Sequence, residues 1–123
     1  SGTASGGATS ARAAVASFLA AARNEDLQAM ALVWGTAGGP ARNNMPREEL
    51  EKRELIMMCF LRHDRYQLVS DAESTAGQRR IEVELERGML VRTTAFTVVP
   101  APDRHWYVQS FDMEALREFC SKR

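Results

Sequence analysis

The chain has 123 residues, of which 45% are apolar and 26% charged, enough for one domain around one core. Lysines plus arginines equal aspartates plus glutamates at 16 each, and most basic residues sit beside acids, so there is no electrostatic footprint for nucleic acid or an anionic membrane. No apolar run approaches the ~20 residues of a membrane-spanning helix.

Residues 1–10 hold only Ser, Gly, Thr and Ala and read as a flexible tether, leaving 11–123 as a single domain. The chain starts Ser1-Gly2 without an initiator Met, so a cleaved or engineered end is expected. A Ser/Gly/Thr tether ahead of a small domain resembles a bacterial lipoprotein that has lost its signal and lipidated Cys. A plain disordered terminus is the alternative.

Ser10 is placed to cap a first helix running to about Arg23, because Ala14, Val15, Phe18, Leu19 and Ala22 form one apolar stripe. Asn24-Glu25-Asp26 interrupts it, and Asp26 can cap a second helix over 27–34, with Leu27, Met30, Ala31 and Trp34 on one face. Residues 35–45, rich in Gly, Pro and Asn, read as a loop. Pro46 suits the first turn of a third helix reaching about 62 or 63, with Glu48 and Glu49 near its positive end. Leu50, Glu54, Met57, Met58 and Leu61 recur there at helical spacing, as do Leu55, Cys59 and Arg62. Because residues 55–61 are apolar all round, that half of the helix should be buried on more than one side.

Four strand-like segments follow, at 66–69, 80–86, 90–99 and 106–111, and Asp112 can cap a short helix over 113–120. In 80–86, Ile81, Val83 and Leu85 alternate with Arg80, Glu82, Glu84 and Glu86, which predicts one buried and one solvated face. A three-residue loop of Glu86, Arg87 and Gly88 would put Gly88 in the left-handed conformation. That register sets Val83 opposite Val91, Ile81 opposite Thr93 and Glu82 opposite Arg92. It sends Thr93, Ala95, Thr97, Trp106, Val108 and Ser110 towards the helices. Leu90, Phe96, Val98, Tyr107 and Phe111 then line the outer face, an apolar stripe that calls for a partner, with a homodimer the expected form; the alternative is a register one residue away, which would swap the faces of the last strands.

Cys59 and Cys120 lie in apolar helical patterns, and the preferred reading is two buried thiols; a bridge would staple the third helix to the C-terminus and would need an oxidising compartment. No CxxC or His cluster accompanies them, so no metal and no cofactor is expected.

Three helices followed by an antiparallel meander resemble the nuclear transport factor two-like superfamily, which includes SnoaL-like cyclases, ketosteroid isomerase and small bacterial lipoprotein domains. The residues that carry the resemblance are the opening Ala13 to Ala22 stretch, the Asn24-Glu25-Asp26-Leu27 break and the Trp106-Tyr107-Val108-Gln109 strand. It implies an α+β fold with helices on one face of a curved, cone-like sheet. Family enzymes usually have strand sequence between the second and third helices; here that stretch is the 35–45 loop, which implies the reduced, four-stranded sheet of the lipoprotein-like branch.

An isomerase or cyclase needs an acid among apolar walls, and none of the strand positions assigned to the core is acidic. His63-Asp64, at the end of the third helix, reads as a dipole partner rather than a general base, and His105 as a solvated turn residue. Trp34, Thr93, Thr97, Trp106 and Ser110 are the candidate walls of a pocket for a small apolar ligand, which methionines from the helices would otherwise fill. No GxSxG, Walker, GxGxxG or HExxH motif is present. The resulting expectation is a non-catalytic binding or interaction domain, extracytoplasmic rather than cytoplasmic. It would touch a membrane only through a lost lipid anchor, and a SnoaL-like enzyme is the alternative.

Overall fold

The computed structural model describes residues 6–121. The fold is α+β: helices α1 (Ala11–Arg23), α2 (Leu27–Val33) and α3 (Arg47–Phe60) precede an open four-stranded antiparallel sheet. Its strands run in sequence order, β3 (Arg65–Glu73), β4 (Arg79–Arg87), β5 (Leu90–Pro100) and β6 (Trp106–Phe111). The 35–45 segment is more ordered than a loop. It holds a tiny hairpin of β1 (Gly35–Thr36) and β2 (Gly39–Pro40), then a 3-10 turn over Ala41–Asn43. A 3-10 turn at Glu114–Leu116 leads into α4 (Arg117–Cys120).

The caps act as the sequence indicates. Ser10 Oγ accepts from the Ala13 amide at 3.1 Å and Asp26 Oδ1 from that of Ala29 at 3.0 Å, each satisfying a donor the helix start leaves free. Residues 6–10 are held rather than loose: the Gly7 amide donates to Leu32 O, and Ala8 and Trp106 exchange both backbone bonds. A Cβ on Gly7 would lie 2.6 Å from His105 Cβ and 2.9 Å from the Tyr107 ring, so only glycine fits against β6 there. The rest of the expected tether, 1–5, lies outside the described residues.

The β4–β5 register corrects the sequence reading. The loop is two residues, Gly88 and Met89, flanked by the Arg87–Leu90 pair. Gly88 takes φ 60° in the first central position, which is the glycine position of a type II′ hairpin, and this turn twists with the strands. Val83 therefore opposes Thr94, Ile81 opposes Phe96 and Glu82 opposes Ala95. The offset from the expected pairing is odd, so every β5 side chain changes face. A bulge between the Thr97–Ser110 and Val98–Val108 pairs then shifts β6.

The core follows from that register. Ile81, Val83, Leu85, Phe96, Val98 and Val108 are fully buried beneath the helices. Phe18 of α1 meets Phe96 and Phe111 edge-on, and those two rings stack with centroids 5.3 Å apart. Tyr107 packs with Val99 and Ala101 in a smaller cluster. Of the expected interface stripe, Phe96, Val98, Tyr107 and Phe111 are thus interior; Leu90 is partly buried against the core. The true outer face carries Glu82, Glu84, Thr93, Ala95 and Thr97. It is a polar surface laced by Arg80–Glu82 and Arg65–Glu86 ion pairs.

Two cross-links tie the layers together. Cys59 and Cys120 form a disulfide, correcting the preferred reading of two free thiols; it fastens α3 to α4. Asp71 of β3 accepts from Arg12 Nε of α1 at 2.8 Å and from Arg79 Nε of β4 at 2.7 Å. The all-round burial expected for the end of α3 does not occur: Leu55 and Ile56 are 57% and 48% exposed, because only one side of the helix meets the rest of the molecule.

Candidate functional site

Two concavities flank α3. The first, about 490 Å³, lies between α2, the 41–43 turn and the first half of α3. Leu27, Ala31, Leu32 and Leu50 form its apolar walls, and Gln28, Arg42, Asn43 and Arg47 are exposed lining residues at its rim. Glu54 is the most buried lining residue, only 1% exposed, and so forms the floor.

Glu54 reaches this position because it occupies a core slot of the α3 stripe, one turn after Leu50 and one turn before Met57 and Met58. Both of its carboxyl oxygens are buried, and neither has a hydrogen-bond partner. Such a group normally costs stability unless something satisfies it. Burial, reinforced by the nearby Glu51 carboxylate, pushes its pKa up from 4.5 to about 7. Glu51 itself is engaged by Arg47 Nε at 3.0 Å.

The second concavity, about 430 Å³, lies between the other side of α3 and the end of β6. Trp34, Ile56, Met57, Phe111 and Met113 make an apolar surface, with Arg53, Gln109 and Ser110 as its polar groups. Trp34 stands where it does because α2 ends there and its backbone turns to run parallel to β6, bridging Val108. Arg53 is paired with Glu49 at 2.8 Å on the helix surface.

The candidate pocket residues are only partly brought together. Trp34 and Ser110 meet in the second concavity. Thr93 and Thr97 lie on the outer face, and Trp106 is half-buried at the Ala8 bridge. The space beneath the sheet, where those five were expected to converge, is filled by Phe18, Met30, Phe96 and Phe111. Thr94 takes the inward slot instead, its hydroxyl donating to Asp112 O at 2.8 Å.

His63 and Asp64 do not act on each other. His63 Nδ1 lies 2.7 Å from Leu61 O, and Asp64 Oδ2 accepts from the Gly88 amide at 2.8 Å. His105 pairs locally with Asp103. Among the described residues no cluster of three or more His, Cys, Asp or Glu could hold a metal ion, and no helix is long and apolar enough to cross a membrane.

Glu54 is the residue that sequence reasoning passed over. The available signal was an acid set among Leu50, Met57, Met58 and Leu61 at helical spacing, where every neighbour on the face is apolar. Comparison with family models, with curated proteins and with solved structures finds no match.

Proposed function

We propose that this chain is a non-catalytic binding domain of an exported protein, taking a small apolar molecule in the groove beside Trp34. The observation that carries this reading is the groove itself. Its volume falls in the range of ~300–1,000 Å³ typical of small-molecule sites, and it presents a continuous Trp34, Ile56, Met57, Phe111 and Met113 surface. The Cys59–Cys120 bridge supports an oxidising, extracytoplasmic compartment, periplasm or cell envelope. The order of three helices then a four-stranded meander supports the lipoprotein-like branch of the nuclear transport factor two-like fold. The cyclase alternative calls for an acid among the inward strand positions, and the described ones carry none; the buried acid, Glu54, stands on α3 in the other cavity.

Trp34 and Trp106 are the two tryptophans, so a Trp106→Phe background isolates the reporter in the groove. Titration with decanol should change Trp34 fluorescence saturably, and Ile56→Glu, at an exposed position, should abolish that change. A linear, non-saturating response, or one untouched by Ile56→Glu, would overturn the reading.

Self-association remains part of the proposal but moves to another surface. β3 is an edge strand exposed along nearly its whole length, with Tyr66, Leu68 and Val69 among its exposed side chains. Arg65 and Glu73 sit at its two ends, so a second copy pairing antiparallel sets Arg65 against Glu73 of that copy. Sedimentation should detect a dimer that Val69→Lys dissolves; a strict monomer at high concentration removes this surface from consideration.

A further inference from the structure

We propose that the cavity between α2 and α3 binds a small zwitterion of the amino-acid class, its ammonium group on Glu54 and its carboxylate towards Arg42 and Arg47. This site is separate from the Trp34 groove, and neither reading depends on the other.

The carboxyl of Glu54 is orphaned. Glu54 is 1% exposed, both its oxygens lack partners, and it sits at the floor of a cavity of about 490 Å³. A buried carboxylate is stabilised by donors that reach it. None of the side chains around it does so: Arg47 turns its Nε to Glu51, leaving its outer guanidinium nitrogens at the rim, and the other basic lining group, Arg42, is exposed there as well. A ligand ammonium supplies three donors and a full compensating charge at the floor.

The cavity is also polarised from floor to rim. The acids Glu54 and Glu51 are buried and half-buried, whereas Arg42 and Arg47 are exposed. A simple amine would have to pass two cations, and a simple acid would meet Glu54. A molecule cationic at one end and anionic at the other matches both levels, with its carbon chain against Leu27, Ala31, Leu32 and Leu50.

The raised pKa of Glu54, caused by burial and then by Glu51, adds a pH signature. An ammonium needs the ionised carboxylate, so affinity should climb as pH rises through about 7 and level off above it. The other charged groups lining the cavity around Glu54 are Glu51 and Arg47 of α3 and Arg42 of the 41–43 turn.

The test is calorimetric titration of the whole chain with 6-aminohexanoate, n-hexylamine and hexanoate, at pH values on either side of about 7. The zwitterion should bind saturably, about tenfold or more tighter than either single-ended analogue, and tighter at the higher pH. Glu54→Gln should weaken it by a similar factor. A second readout guards against a misfolded variant: in the wild-type chain, 6-aminohexanoate should lower the pH at which the Glu54 carboxyl carbon titrates by NMR. No saturable binding, equal binding of hexanoate, unchanged affinity in Glu54→Gln, or an unmoved carboxyl titration would each overturn the proposal.

Discussion

The ring of Phe18 on α1 meets that of Phe96 on β5 edge-on, with centroids 6.1 Å apart and planes at 78°. This contact joins the helical layer to the centre of the sheet, and both rings are fully buried. Phe96→Ala should therefore cost about 3–5 kcal/mol, measured by urea unfolding. A cost below about 1 kcal/mol would mean that Phe96 faces solvent and that the β4–β5 register is wrong.

Gly88 offers a separate check on that register. Nothing lies within 4 Å of the Cβ it lacks, so a substitution there meets no steric obstacle and feels only the φ of 60°. Gly88→Val should lose roughly 1–2 kcal/mol and Gly88→Asn much less, because Asn tolerates left-handed backbone. Equal losses for both would point to a crowded turn instead.

The bridge between Cys59 and Cys120 spans 61 residues. Closing a loop of that length restricts the unfolded chain by about 4 kcal/mol in the entropic treatment. Reduction, or Cys59→Ser with Cys120→Ser, should lower the denaturant midpoint accordingly without changing the fold seen by circular dichroism. Insensitivity of the midpoint to reductant would show that the thiols are free.

Asp71 links α1 to two strands. The Arg79 and Arg12 guanidiniums hold its carboxyl below the usual carboxylate range. Its folded pKa is depressed, so its contribution is present above about pH 4 and disappears as pH falls through the lower folded value. Asp71→Asn should cost about 1–3 kcal/mol near neutrality and flatten the acid limb of the stability curve.

Glu54 has the opposite sign. It holds its proton more tightly in the fold than in the unfolded chain, so stability is fully present below about 4.5 and is lost as pH rises towards about 7. The loss should approach roughly 3 kcal/mol, since each pKa unit corresponds to ~1.4 kcal/mol. Glu54→Gln should remove this decline, leaving the variant more stable than the parent at alkaline pH. A parent whose melting temperature is level from pH 4 to 8 would contradict an orphaned carboxyl.

Local signals carried most of the architecture. Ser10 and Asp26 announce their helices because a capping oxygen needs only its own neighbourhood, and β4 declares its faces by strict alternation from Arg80 to Glu86. The pairing of β5 was not legible in the same way. Arg87, Gly88 and Met89 allow more than one hairpin loop, and an odd offset between them exchanges Thr93 and Thr97 for Thr94 and Phe96. The candidate interface inherited that error. Only Trp34 and Ser110 of the candidate pocket come together, through a parallel bridge and a bulge that no sequence period encodes. The disulfide was legible only as the lesser of two readings, because its partners approach through the packing of α3 on α4.

The covalent ring closed by Cys59 and Cys120 contains all four strands of the main sheet, while α1 and α2 lie outside it. Tension applied between the two ends of the chain would run along the helices, cross the sulfurs and leave at the C-terminus. The sheet hangs as an unloaded side branch, so pulling would unravel α1, α2 and α3 and stop at Cys59, with β3 to β6 never stretched until the bridge is reduced.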